Sequence, residues 1–211
     1  MADGVATVAG LDNVLSGELV VINNNIKGLA LNIEKRYVKV VIFANEASVS
    51  QGDLASRTAS IVNVPVGVNL LGRIVDSLGN PLDDAGDIEA DSFSEVDVKA
   101  PGIITRKSVH EPMQSGITAI DATVPIGRGQ RELIIVDRQT GKTTIAIDTI
   151  INHRNLKDED PRKLYAIYVA VGQKCSTVSQ IVEKLTAENA RDFVVVTPVP
   201  TVVSQLGFAG N

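Results

Sequence analysis

IIVDRQTGKTT, Ile134 to Thr144, is the stretch on which the reading of this chain turns. An apolar run, ELIIV, gives way to a polar loop, and Gly141-Lys142-Thr143 then opens a run, TIAIDTIINH, with helical spacing of its apolar positions. A Gly-Lys-Ser/Thr triplet at a strand-to-helix turn is the back half of a phosphate-binding loop. Successive backbone N–H groups and the positive end of the helix dipole face phosphate oxygens, the lysine neutralises charge, and the hydroxyl holds magnesium. Asp137, Arg138, Gln139, Thr140, Gly141, Lys142 and Thr143 form the candidate loop, with Lys142 as the charge and Thr143 as the magnesium ligand. Two features leave the reading open. A helix N-terminus capped by Thr140, with Lys142 solvated, has the same sequence signature. The position of the loop's first glycine, moreover, holds Val136. If the backbone there has positive φ, a β-branched residue costs roughly 1–2 kcal/mol; if φ is negative, the cost is only crowding.

Working outward, a strand at RELIIV, the helix, a polar loop, a strand at LYAIYVAV, a helix at TVSQIVEKLTAEN and a strand at FVVVT give the β-α-β-α-β rhythm of a mostly parallel sheet with covering helices. Such sheets bind ligands at the carboxyl ends of their strands. Gln173 follows the second strand, where a nucleoside triphosphatase needs a group to orient water and take its proton. A glutamine hydrogen-bonds but is no base. A solvent-facing loop glutamine is the alternative. Residues 1–62 read differently, as short β-branched runs about ten residues apart, GVATVAGL, GELVVI, KGLALNIE, YVKVVIFA, GDLAS and ASIVNV, punctuated by Asn23-Asn24-Asn25, Gly28 and Gly52. That is a small β-barrel or sandwich, or a set of strands in a larger mixed sheet. Residues 63–102, rich in Gly, Pro and Asp with a turn at Gly79-Asn80-Pro81-Leu82, read as a connector. The fold class is therefore α/β: an N-terminal barrel over 1–62 and a P-loop nucleotide-binding domain over 63–211.

Composition sets the outer limits. The 211 residues suit two modest domains, and 44% hydrophobic with 21% charged residues is ordinary for a globular α/β chain. No apolar run approaches the ~20 residues of a membrane span, so any membrane link runs through a partner. A net charge of −5 without a basic cluster argues against nucleic acid. One cysteine excludes an internal disulfide, and with two histidines it cannot build a structural zinc site. His110 and His153 lie in polar surroundings with no acid at triad-like spacing and read as surface residues. Cys175, among Lys174, Ser176 and Thr177, has no base nearby and reads as passive. No targeting peptide is legible at the N-terminus.

The long run APGIITRKSVHEPMQSGITAIDATVPIGRGQRELIIVDRQTGKTTIAIDTIINH, with DGVATVAGLDNVLSGELV upstream and YAIYVAVGQKCSTVSQIVEKLT downstream, resembles the alpha-subunit family of rotary, proton-translocating ATP synthases. The resemblance implies an N-terminal β-barrel, a RecA-like nucleotide domain and a C-terminal helical domain, with alpha subunits alternating with beta subunits around a gamma shaft. It implies a regulatory and structural subunit that binds ATP, or ADP, with Mg and does not turn it over. The beta subunits of that family carry a glutamate base where alpha carries the glutamine of VGQK, here Gln173. Around the phosphates the resemblance implies contacts from Gln139, Gly141, Lys142, Thr143 and Thr144, with the Thr143 hydroxyl on magnesium and no catalytic residue in this chain. The wording HEPMQSG and IAIDTIINH is similar to the mitochondrial and related bacterial versions. That implies the matrix side of the mitochondrial inner membrane, with the cytoplasmic side of a bacterial plasma membrane as second choice. Departures are Val136 for glycine, Cys175 for arginine, and Pro198 and Pro200 in the tail. The chain also starts part-way into the family's barrel and ends at Asn211, before the magnesium aspartate and the helical domain. The expectation is a truncated polypeptide with weak nucleotide binding and no turnover by itself. An active ATPase of the same superfamily and a decayed paralogue without nucleotide binding are the alternatives.

Overall fold

The structure is a computed structural model and describes residues 4–43, 48–96, 98–137, 140–156, 160 and 163–199. It divides into two compact units, one on Met1–Val98 with Val169–Lys174 and Val196–Asn211, the other on Lys99–Tyr168 with Cys175–Val195.

The first unit is built on β1 (Val5–Ala9), β2 (Glu18–Ile22), β3 (Ile26–Ile33), β4 (Tyr37–Ile42) and β5 (Ala55–Ile61), joined in a five-stranded, barrel-like antiparallel sheet of order β1-β4-β3-β2-β5. The runs expected as separate strands at GDLAS and ASIVNV are instead one strand, β5, which continues into β6 (Asn63–Val66). Period-two alternation explains the core. In β2, Glu18, Val20 and Ile22 are buried while Leu19 and Val21 are half-buried. Val20, Ala30, Val38 and Val40 pack with Leu11 and Val14, and Ala6, Ile22 and Ile42 form a second cluster. The β2–β3 hairpin turns where Asn23 (φ 50°) and Asn24 (φ 60°) take the left-handed conformation that asparagine tolerates.

Glu18 is the one charged side chain inside the sheet that the sequence pattern leaves unexplained. It is 2% exposed and is satisfied from several directions. It accepts the backbone N–H of Leu15 at 2.9 Å and of Ala59 at 2.8 Å, and the Arg57 guanidinium at 3.0 and 3.2 Å. The Leu15 N–H first, with Arg57 and the Ala59 N–H, holds its carboxyl below the ordinary range against the opposing effect of burial. Reaching Glu18 puts Ala59 at φ 56° and breaks the β2–β5 register between Glu18 and Val20.

The remainder of this unit is the connector. β6 pairs antiparallel with β7 (Ser92–Glu95). The turn expected at Gly79-Asn80-Pro81-Leu82 lies earlier, at Asp76–Gly79, where the Gly79 N–H reaches the Asp76 carbonyl at 3.1 Å and the Asp76 carboxylate accepts the Leu78 and Asn80 N–H groups, while Pro81 bridges antiparallel to Val75. Arg73 grips Asp83 through two contacts at 2.7 and 2.8 Å and keeps that carboxyl far below its usual range. Ile74 forms a parallel bridge with Val196.

In the second unit β8 (Pro112–Met113) is followed by α1 (Thr118–Thr123) and by β9 (Ile126–Gly127), which pairs with β8. Then, in chain order, come α2 (Lys142–Asn152), β10 (Ala166–Val171, belonging to the first unit from Val169 on), α3 (Cys175–Ala187) and β11 (Val194–Val199, belonging to the first unit from Val196 on), with β10 and β11 forming a two-stranded sheet. The strands and both helices thus fall where the periodicity puts them. The expected strand at RELIIV does not. Residues 131–137 belong to no strand, and Leu133 and Ile135 are 79% and 80% exposed. A strand exists only where a neighbour takes its N–H and C=O groups, and among the described residues none does so there. α2 packs on α3, with Ile147 and Ile151 buried from one helix and Val178, Ile181 and Leu185 from the other, and with Lys184 reaching Asp148 at 3.0 Å.

Candidate functional site

The candidate loop lies at the N-terminus of α2. Gly141 is its N-cap in the left-handed conformation (φ 98°, ψ 12°), a geometry that favours glycine and aims the following N–H groups out of the helix end. No side chain caps this end, and no acidic residue occupies the first turn. Ile145 N–H closes the first turn on the Gly141 carbonyl at 3.0 Å, which leaves the earlier amides to an outside acceptor. Thr140 does not cap the helix. Its hydroxyl donates back to the Asp137 carbonyl at 2.6 Å, tightening the loop instead. The alternative in which Thr140 satisfies the helix end is therefore not the one this structure adopts.

Lys142 is the first helical residue and is exposed, Thr143 follows it half-buried, and Thr144 is exposed. Asp137 and Thr140 are exposed on the approach to the helix. Arg138 and Gln139 lie outside the described residues. The open question at Val136 has an answer: it is absent from the left-handed non-glycine residues, which are Asn23, Asn24, Ala59, Asp84 and Asn189. The valine therefore carries no left-handed penalty and only adds bulk, at 39% exposure.

Among the described residues the features here fit a phosphate: a helix start without a side-chain cap, the positive end of an eleven-residue helix with no acidic residue in its first turn, and an exposed ammonium at its first position. Were magnesium to accompany a phosphate here, the Thr143 hydroxyl would be the group at this helix end that could hold it. A cluster of carboxylates is not needed for that role, and among the described residues no group of three or more His, Cys, Asp or Glu side chains gathers as a metal site.

Gln173 sits one residue beyond Gly172, just past the end of β10, and is exposed. Cys175 is exposed at the start of α3. His110 is exposed and 3.2 Å from Glu111, as expected of a surface residue. His153 is not at the surface: it is 6% exposed at the C-cap of α2, and neither ring nitrogen has a hydrogen-bond partner. Helical spacing from Ile147 and Ile151 points it away from their face, so its burial comes from tertiary packing that periodicity does not encode.

Two stretches of the chain match known family domains. Residues 1–59 match the ATP synthase alpha/beta family, beta-barrel domain, and residues 116–202 match the ATP synthase alpha/beta family, nucleotide-binding domain. The first takes in the whole five-stranded sheet but for the end of β5, and the second begins just before α1 and spans the loop, both longer helices and β11.

Proposed function

We propose that this chain, which belongs to the ATP synthase alpha/beta family and so is an F1/V1-type ATPase subunit, is of the alpha type: a non-catalytic nucleotide-binding subunit of the head of a proton-translocating ATP synthase. The observation that carries the reading is Gln173, which ends the β10 segment in VGQK with an amide where a catalytic subunit needs a carboxylate. An amide orients water by hydrogen bonding but cannot take its proton at neutral pH.

In this reading the amides of the first turn of α2 and the Lys142 ammonium bind the phosphates of ATP or ADP. Asp137, Arg138 and Thr140 belong to the same phosphate-binding loop, Gln139, Gly141, Thr143 and Thr144 contact the phosphates beside Lys142, and Thr143 also holds Mg. The barrel domain runs over 1–62 and the nucleotide domain over 63–211. The partners are beta and gamma subunits in an alternating hexamer, with membrane attachment only through the complex, on the matrix side of the mitochondrial inner membrane or, as second choice, the cytoplasmic side of a bacterial plasma membrane. Isothermal titration of the full chain with MgATP tests the binding half of the reading. Saturable binding lost in Lys142→Ala supports it, and no heat at millimolar nucleotide favours the decayed paralogue. Affinity purification from the source, read by mass spectrometry, tests the assembly half through recovery of beta and gamma subunits.

A further inference from the structure

α2 carries a titratable group at the end opposite the phosphate loop. His153 closes the helix as its C-cap (φ −86°, ψ −3°), with its N–H donating to the Ile150 and Ile151 carbonyls and its own carbonyl accepting Leu156 N–H at 3.3 Å. The segment packed against this end is the loop through Gln114 and Gly116. Asn152 Nδ2 donates to the Gln114 carbonyl at 3.1 Å, and a Cβ on Gly116 would stand 2.5 Å from Asn152 Cγ. Next to Asn152 the imidazole is 6% exposed, and neither ring nitrogen makes a hydrogen bond of good geometry, the Gln114 backbone being the polar group that bears on it.

We infer that His153 is an acid-sensitive latch on the phosphate-loop helix: neutral, it seals the C-terminal end of α2 against the Gln114–Gly116 loop, and protonated, it loosens that end. Burying a neutral imidazole is costly, and burying the same ring charged is far costlier. The charged groups on the surrounding elements do not offset that cost. Arg128, which follows β9, carries the same sign. On α2 and just beyond it, Asp148 is engaged by Lys184 of α3, and Arg154 by Glu188, which follows α3. Asp121 of α1 is consumed by the Ser115 N–H and hydroxyl and the Gly116 N–H, at 2.9, 2.7 and 3.0 Å. Two influences favour the proton, the Gln114 carbonyl and the negative end of the α2 dipole. Burial outweighs them and, with Arg128, sets the ring below its ordinary value of 6.5. With the folded value depressed, the unfolded ring takes the proton first. The latch is therefore fully closed above about pH 6.5 and is lost as pH falls through the folded value. The inference concerns the helix itself and stands whether or not nucleotide binds.

Imidazole NMR signals of the full chain are followed from about pH 7.5 to 5, with His153→Gln identifying the His153 resonance, and hydrogen exchange of the α2 amides reads the latch. His153 is expected to stay neutral to a pH below the ordinary 6.5. Relative to His153→Gln at the same pH, α2 exchange is expected to rise by about threefold or more between pH 7.5 and 5.5, bounded at about tenfold per pKa unit. His153→Asn serves as reference if the glutamine variant does not fold. A His153 ring that takes its proton at or above about pH 6.5, or an exchange ratio that stays flat against the reference, overturns the inference.

Discussion

In the antiparallel sheet, the run YVKVVI of β4 buries Val38, Val40, Val41 and Ile42 at 3% exposure or less, whereas the equally apolar ELIIV before the phosphate loop leaves Leu133 and Ile135 about four-fifths exposed. β4 lies between β1 and β3, so both of its edges are hydrogen-bonded. It gains the β3 neighbour through a short hairpin. The ELIIV run has no ladder among the described residues. Apolar strand sequence states a demand for neighbours, and hairpin topology meets it locally while a parallel sheet meets it only through distant connections. The first unit is thus self-sufficient in its sheet, and the second holds together mainly through the α2–α3 pair while presenting apolar surface at Leu133–Val136 and at Ile103 and Ile104. Such surface fits the subunit role, since a family built for a hexamer leaves faces for its neighbours.

The sharpest test of that contrast is a pair of truncations. Ile42→Ala in the sheet is expected to cost about 2–5 kcal/mol, while Ile135→Ala is expected to stay within about 0.5 kcal/mol, both read from urea unfolding midpoints. Comparable losses at the two sites would show that ELIIV is buried in solution and would erase the distinction. A second test separates stability from binding within the weaker unit. Lys142→Ala removes an exposed ammonium for which no ion pair forms among the described residues, so MgATP affinity is expected to fall about 10- to 100-fold with the unfolding midpoint unchanged.

Acid should dismantle the units in a set order. The His153 latch weakens as pH falls below about 6.5, while the Glu18 carboxylate, whose folded pKa is depressed, stabilises the sheet above about pH 4.5 and loses that effect only as pH falls further. Hydrogen exchange measured from pH 7 downward is therefore expected to show α2 opening first and β2 later; simultaneous opening would mean one cooperative structure. The smallest effect concerns the irregularity that serves Glu18. Ala59 holds φ 56°, so Ala59→Gly removes a left-handed penalty and is expected to stabilise the sheet by up to about 1 kcal/mol, read from the same midpoints.

Much of this was legible in the residues. Alternation in ELVVI and YVKVVI, the asparagines at the β2–β3 turn, and Gly141-Lys142-Thr143 ahead of a helical run placed the sheet, its hairpin and the loop. Three features were not legible, each for a tertiary reason. Glu18 reads as a strand's polar edge until Arg57, from β5, folds against it. His153 reads as a surface residue because its burial depends on a loop beginning near Gln114. ELIIV reads as a strand because periodicity reports apolarity and not whether a neighbour exists. The backbone conformation at Val136 is a fourth case, where sequence defines two outcomes and geometry selects the unstrained one.

The central claim, nucleotide held without turnover, is tested most directly by phosphate release from MgATP by the full chain under conditions where titration shows the site filled. The account expects no release above the Lys142→Ala background. Steady release that Lys142→Ala abolishes would contradict it and make this chain an active ATPase.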